Sequence, residues 1–362
     1  MIKKIHLENF KCFESMDFDL SNINILTGIN GMGKSTLIQS LLLLMQSSKS
    51  LGNSERVLLN GEFVQLGYGR DILYEAAGEN EEIVIEIDEN GENASFKFKY
   101  EAFSDELELV NNVSKLPQFC DLEKSCYLSA YRIAPSPLYD ITNEKNLKKR
   151  NFGNNGVYAL QYLKEFGGKC ICNSELCKDS LDNTLREQVS KWMNEIVPGV
   201  SIHVDVDIMK NIAELGYSFR ENDRQTNTYS CMNVGFGITY VLPIIVALLS
   251  AEKGDLLILE NPEAHIHPSG QRKLGELIGL VGQSGVQLIV ETHSDHILNG
   301  IRIAVKKGWV DCDNVKTMFF YKDKADMNKH KYDTPHINQK GHIDFWPESF
   351  FDTWDEALVE LL

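Results

Sequence analysis

The sequence predicts an α/β fold, and three observations predict it. A glycine-rich loop, GINGMGKST, lies between an apolar strand-like run and a helical run near the N-terminus. Residues 256–295 then read as strand, helix, strand, from LLILENPEAHIHP to VQLIVETHSD. Between these two regions β-like runs mix with a short helical stretch and show no sustained heptads. The 362 residues, 43% hydrophobic and 24% charged, are enough for one large or two ordinary domains with a sizeable core.

In chain order, IKKIHLENFKCF and MDFDLSNINILTG alternate well enough to read as two strands of a hairpin-like start, the second ending in apolar INIL. From Gly28 through Gly33, Lys34 and Ser35 the chain fits GxxxxGK[ST], and TLIQSLLLLMQ after it is helical. Glycines there let successive N–H groups turn onto phosphate oxygens, and the positive end of the following helix points the same way. Lys34 is the expected cation for β and γ phosphates, and the Ser35 hydroxyl the expected magnesium ligand.

The middle of the chain reads as a compact lobe. EIVIEIDENG and ASFKFKY are β-like, and LDNTLREQVSKWMNEIV is helical. YLSAYRIAPSPLYD, with Pro135 and Pro137, is expected to be a rigid loop, in which Arg132 is a cation with no assigned role. Asp205 and Asp207 form a DxD pair, but HVDVDI reads more simply as a strand with an acidic exposed face. In TYSCMNVGFGITYVLPIIVALLSA, Gly235 and Gly237 open a long apolar helix, and Pro243 predicts a kink or a late start.

LENPEAHIHP is open to three readings: a metal site, an acid/base pair, or the magnesium end of a nucleotide site. Leu256 to Leu259 is a buried strand that places Glu260 at its C-terminal edge, where open α/β sheets bind ligands. GQRKLGELIGLVG has the spacing of a crossover helix, and the next strand runs on to His293. Zinc on His265 and His267 lacks a third nearby ligand. The nucleotide reading is therefore preferred.

Bulk properties narrow the partners. A formal net charge of −16 opposes non-specific binding to DNA or anionic membranes, so nucleic-acid contact would have to be local or indirect. His6, Glu8, Asn9 and Lys11 interrupt any signal-peptide core, and no apolar run approaches the ~20 residues that span a bilayer. A cytoplasmic protein without membrane partners is expected. The eight cysteines suit reduced thiols; Cys170, Cys172 and Cys177 lack a paired CxxC spacing and a fourth neighbouring ligand.

The order of GINGMGKST, NVGFG before a long helix, LLILENPEAHIHP and IVETHSD resembles the ABC-type P-loop ATPase fold of stand-alone bacterial ATPases of the OLD and RecF families, related to SMC proteins. The resemblance covers Met1 to Gln46 and Asn233 to Asn299. PEAHIHP and ETHSD place it with the OLD-like branch, and the tail GHIDFWPESFFDTWDEALVELL looks like the extension of one group in that branch. It implies a mostly parallel core sheet, a β-rich N-terminal part and a compact α/β insertion. The expected division is 1–75 with the phosphate loop, 76–230 as the inserted lobe, 231–330 completing the ATPase, and 331–362 as an extension.

The resemblance implies roles residue by residue. Gly28, Asn30, Gly31, Gly33, Lys34, Ser35 and Thr36 match the phosphate loop, Glu260 the Walker B carboxylate, and His293 the histidine that senses γ-phosphate. Asn233, Gly235 and Gly237 lie in the signature segment, which in this fold reaches ATP on the opposite subunit. Gln65, in EFVQLGYGRD, is a weaker candidate for the glutamine that couples magnesium to the inserted domain. Most relatives follow the Walker B carboxylate with a water-positioning glutamate, whereas this chain has Asn261. An amide can orient water but cannot take its proton, so the role passes to Glu263 or turnover is slow.

The expected function is an ATPase with ATP and Mg²⁺ as cofactors, a homodimer or larger homo-oligomer, regulating a separately encoded effector such as an HNH-type nuclease in anti-phage defence of the Septu type. Alternatives are a RecF-like DNA-binding repair ATPase and an ATP-binding scaffold with little turnover. OLD proteins append a Toprim nuclease domain, for which the 63 residues from Gly300 to Leu362 are too few. No LSGGQ sequence points to a transporter subunit.

Overall fold

A computed structural model describes the chain except for residues 54, 79, 180, 222–223, 324–325, 327–328, 349, 352–359 and 362. Residues 349, 352–359 and 362 of the tail motif therefore lie outside the described residues. Two compact units are present: one of Met1–Ser125, Val315–His336 and Ile343–Leu362, the other of Cys126–Asn314 and Ile337–His342.

The first unit begins with β1 (Ile2–Phe10), β2 (Phe13–Asp19), β3 (Ile23–Gly28), α1 (Lys34–Gln46), α2 (Ser48–Asn53) and β4 (Arg56–Leu58). It continues with β5 (Ile83–Glu89), β6 (Glu92–Phe98) and β7 (Glu106–Glu108). β2, β1, β5 and β6 form an antiparallel sheet in that order. From Lys4 to Glu8 β1 alternates, with Ile5 and Leu7 inside and Lys4 and Glu8 outside, as a sheet with one solvated face requires, and a register shift between Ile2 and Lys4 brings Ile2 inside as well.

The expected two-strand start is instead three strands. Asn24 accepts from the Ser21 N–H and donates to the Ser21 carbonyl, each at 2.8 Å, and this local turn ends β2 before β3 begins. β2 then pairs antiparallel with β1, whereas β3, fully buried as INILTG, pairs in parallel with a late strand of the chain.

The second unit contains β8 (Ser125–Leu128), β9 (Tyr139–Asp140), α3 (Glu144–Lys148), α4 (Ala159–Phe166), α5 (Leu185–Ile196) and β10 (Val200–Asp207). It adds β11 (Ile212–Glu221), β12 (Arg224–Gln225), β13 (Tyr229–Ser230), α6 (Phe236–Ser250), β14 (Leu256–Glu260), α7 (Pro268–Gln283), β15 (Gln287–Glu291) and α8 (Asp295–Lys306). β16 (Val315–Lys322) and β17 (His330–Asp333) return to the first unit. There β16 lies parallel to β3 and antiparallel to β17.

β14 and β15 are parallel and joined through α7, the right context for a buried apolar pair bounded by polar strand ends. β10 and β11 form the antiparallel hairpin of the middle lobe, with short β9, β12 and β13 along β11. α6 starts at Phe236, well before Pro243, and runs on to Ser250. A Cβ on Gly156 would lie 2.5 Å from the Pro243 ring, so the proline packs where no side chain could stand. No described helix is long and apolar enough to cross a membrane.

Candidate functional site

The phosphate loop belongs to the first unit. Gly28 ends β3 with φ 127°, and a Cβ there would sit 2.3 Å from the Phe320 carbonyl of β16. Gly33, also left-handed at φ 107°, caps α1, and its Cβ would sit 2.5 Å from the Phe13 ring. Both glycines are therefore required by space as well as by conformation. Lys34 is buried, 3% exposed, with Nζ donating to the carbonyls of Gly28 at 2.7 Å and Ile29 at 2.9 Å. It folds back over the loop, while Ile29, Asn30, Gly31 and Ser35 face solvent. Thr36 is buried beside the Cys12 thiol at 3.4 Å.

Sequence reasoning missed His330. Its ring on β17 lies against the backbone of Gly31 and Cys12, and it packs edge-on against Phe13 at 6.2 Å. Burial, with Lys322 nearby, lowers its pKa below the usual histidine range. Gln65 is exposed in a turn bridged to Asn60.

The carboxylates belong to the second unit. Glu260 closes β14 in register with Glu291 at the end of β15. Its Oε2 accepts from the Ala130 N–H at 3.1 Å, and the Tyr127 hydroxyl also bonds it. Burial raises the Glu260 pKa above the ordinary carboxylate range despite those bonds. Asn261 then turns the chain out of the sheet with φ 44°, a left-handed conformation that asparagine tolerates better than glutamate. Its Oδ1 is buried with no hydrogen-bond partner among the described residues.

Glu263 reaches the end of β15. Oε2 accepts from the Thr292 hydroxyl and Oε1 from the His293 N–H, both at 2.8 Å. Ser294 caps α8 and donates to Gln271 Oε1 at 2.6 Å, which ties the His293 segment to α7. Glu260, Asn261, Glu263 and His293 are thus brought together around two adjacent strand ends. Glu291 and Thr292 belong to the same cluster, and the logic that picked out Glu260 could have found them. Arg132, 4% exposed, donates to the carbonyls of Ser129, Glu260 and Asn261. Desolvation pulls its pKa down to about 10, although Glu263 and Glu260 oppose that shift.

Asn233 and Gly235 lie on an exposed stretch leading into α6, with Gly235 as its N-cap. The His265 and His267 side chains are otherwise engaged. His267 caps α7 through its ring nitrogen and Ser269, and the His265 ring packs on Phe236 and Tyr240. Asp205 pairs with Lys164 at 3.1 Å and Asp207 with Lys210 at 2.9 Å. Cys170, Cys172 and Cys177 are free thiols and form no three-ligand group among the described residues.

The AAA ATPase domain model matches residues 1–188, more than half of the chain. The chain belongs to the AAA ATPase domain family. A second AAA domain model, with the AbiEii toxin of type IV toxin–antitoxin systems in its description, matches 176–299, and a family of unknown function, DUF3696, matches 310–361. An OLD nuclease of Thermus scotoductus is 22% identical over 332 residues, 81% of this chain and 59% of its own length. The RecF DNA replication and repair protein of Clostridium acetobutylicum is 24% identical over 60% of this chain and 61% of its own. The chain thus spans about 60% of these two relatives. An SMC head crystallised with the C-terminal winged-helix domain of ScpA superposes with a TM-score of 0.50 at 14% identity, covering 93% of this chain and 98% of that one. The chain thus carries an AAA ATPase domain, is similar in sequence to OLD and RecF proteins, and has the α/β fold of SMC heads.

Proposed function

We propose that the chain binds ATP with Mg²⁺ on the loop from Gly28 to Thr36, dimerises around two nucleotides, hydrolyses them slowly, and in doing so regulates a separate effector. The observation that carries this is the Glu260–Glu263 turn: two carboxylates and an orphaned buried amide oxygen at adjacent parallel strand ends. The residues fit such a ligand. Gly28 and Gly33 let the loop turn where a Cβ would strike Phe320 or Phe13, which leaves Asn30, Gly31 and Ser35 exposed at the N-terminus of α1; Ser35 in the first unit and Glu260 in the second are each an oxygen donor of the kind magnesium takes. Gln65 is the weaker candidate for a further ligand.

Ser35 and Glu260 would hold magnesium, which would supply charge neutralisation for the phosphates. Lys34 exchanges its two carbonyl partners for phosphate oxygens. Asn261 Oδ1, which has no donor among the described residues, accepts from the attacking water and orients it. Glu263 takes that water's proton, since each of its oxygens keeps lone-pair capacity beyond the one bond it accepts. His293 is placed to report on the γ-phosphate. Asn233 and Gly235 form the face offered to the nucleotide of a second copy, with Gly237 packed behind them against the His265 carbonyl.

The effector is read as a nuclease in anti-phage defence, in the bacterial cytoplasm, which the OLD-like motifs support by analogy alone. A second reading, a nucleotide-held scaffold with little turnover, is favoured by the engagement of both Glu263 oxygens. ATP turnover and light-scattering mass with and without ATP-Mg²⁺ decide between them. Steady phosphate release, abolished in Lys34→Ala, with an ATP-dependent doubling of mass supports the switch; stoichiometric retention of ATP supports the scaffold. Retardation of DNA by low protein concentrations at physiological salt would favour a RecF-like clamp.

A further inference from the structure

We infer that Arg132 is a positioning residue that fixes the Glu260–Glu263 turn and ties it to the first turn of α6. The inference rests on the proposed hydrolytic role of that turn. One guanidinium bonds three backbone carbonyls: Ser129 at 2.8 Å, and the successive carbonyls of Glu260 and Asn261. The last two are where the chain leaves β14, and Asn261 sits there in a left-handed conformation without being glycine. A turn of that kind persists only when its surroundings hold it. The planar fork of arginine can hold two successive carbonyls at once, which the point charge of lysine cannot.

The same guanidinium lies 5.6 Å from the Tyr240 ring centroid on α6. Tyr240 packs edge-on against His265 at 4.9 Å, and Phe236 lies 5.8 Å from Tyr240 and 5.6 Å from His265. A Cβ on Gly237 would stand 2.1 Å from the His265 carbonyl, so the start of α6 meets the 261–266 turn backbone to backbone. Phe236 is 49% exposed beside the stretch offered to a second copy. Movement of that stretch is therefore felt at His265 and Tyr240, and through Arg132 at the carbonyls preceding Glu263. Arg132 touches no reacting atom in this account.

The test uses the full chain, with amide exchange measured without nucleotide and kcat and KM for ATP measured in parallel. The amides of Ala264 and Ile266 close the turn on Asn261 and Glu263. Arg132→Lys is expected to speed their exchange about tenfold or more, leave the β10–β11 hairpin unchanged, and lower kcat about tenfold with KM within about twofold. Tyr240→Phe is expected to match wild type, and Tyr240→Leu to move both readouts the same way by less. Unchanged exchange at Ala264 and Ile266 in both Arg132→Lys and Tyr240→Leu overturns the assignment. So does a loss of ATP binding and of protection across the hairpin, which marks an ordinary core cation. If the wild type shows no turnover, the hydrolytic reading falls and the exchange result alone decides the role of Arg132.

Discussion

The phosphate loop and the turn after β14 solve the same problem by opposite means. Both bend the chain sharply at the C-terminal end of a buried strand. The loop does so with glycines at φ 127°, 78° and 107°, two of which have no room for a Cβ. The turn does so with Asn261 and His265 at φ 44° and 63°, and relies on Arg132, Thr292 and the packing of α6 to keep its shape. A loop built from glycine carries its shape in its own sequence. A turn built without glycine borrows its shape from residues far along the chain, and so its geometry can respond to them.

Four perturbations separate the two designs, from the largest expected effect to the smallest. Lys34→Ala should remove ATP turnover to background, a loss of about 100-fold or more measured as phosphate release, because the main cation of the loop is gone. Gly28→Ala should lower stability by about 2–4 kcal/mol in a denaturant titration, since the new methyl meets the Phe320 carbonyl and the left-handed backbone resists it. Asn261→Ala should cost only about 1 kcal/mol, and Asn261→Gly about half of that or less, because here the strain is conformational and not steric.

The smallest effect is that of pH on His330. Its folded pKa lies below the unfolded value of about 6.5, so folding favours the neutral ring. Stability is then complete above that value and falls as pH drops through it toward the folded pKa. His330→Gln should flatten this acid limb of thermal stability and leave the alkaline side unchanged.

Local motifs made much of this molecule legible. Lys34, Ser35 and the glycines around them sit in one contiguous pattern, and apolar LLIL before Glu260 and QLIV before Glu291 mark two strand ends without help from elsewhere. What was not legible depends on distant partners. Arg132 is 128 residues from Glu260 in sequence, and nothing in YLSAYRIAPSPLYD says which carbonyls it will reach. His330 meets the phosphate loop only because β17 folds back along β16. The division of the second strand into β2 and β3 turned on Asn24, whose side chain was read as part of an apolar run although it closes a turn on Ser21. Asn261 looked like a missing glutamate. Its left-handed φ gives a reason for asparagine that no spacing rule contains.

The most direct test of the central claim compares wild type, Glu263→Gln and Asn261→Glu in single-turnover ATP hydrolysis, with mass measured on the same samples. Slow turnover by the wild type, a fall of about 100-fold in Glu263→Gln with an ATP-held dimer trapped, and no gain in Asn261→Glu are the predicted results. Equal rates in wild type and Glu263→Gln, or turnover that appears only in Asn261→Glu, would contradict it.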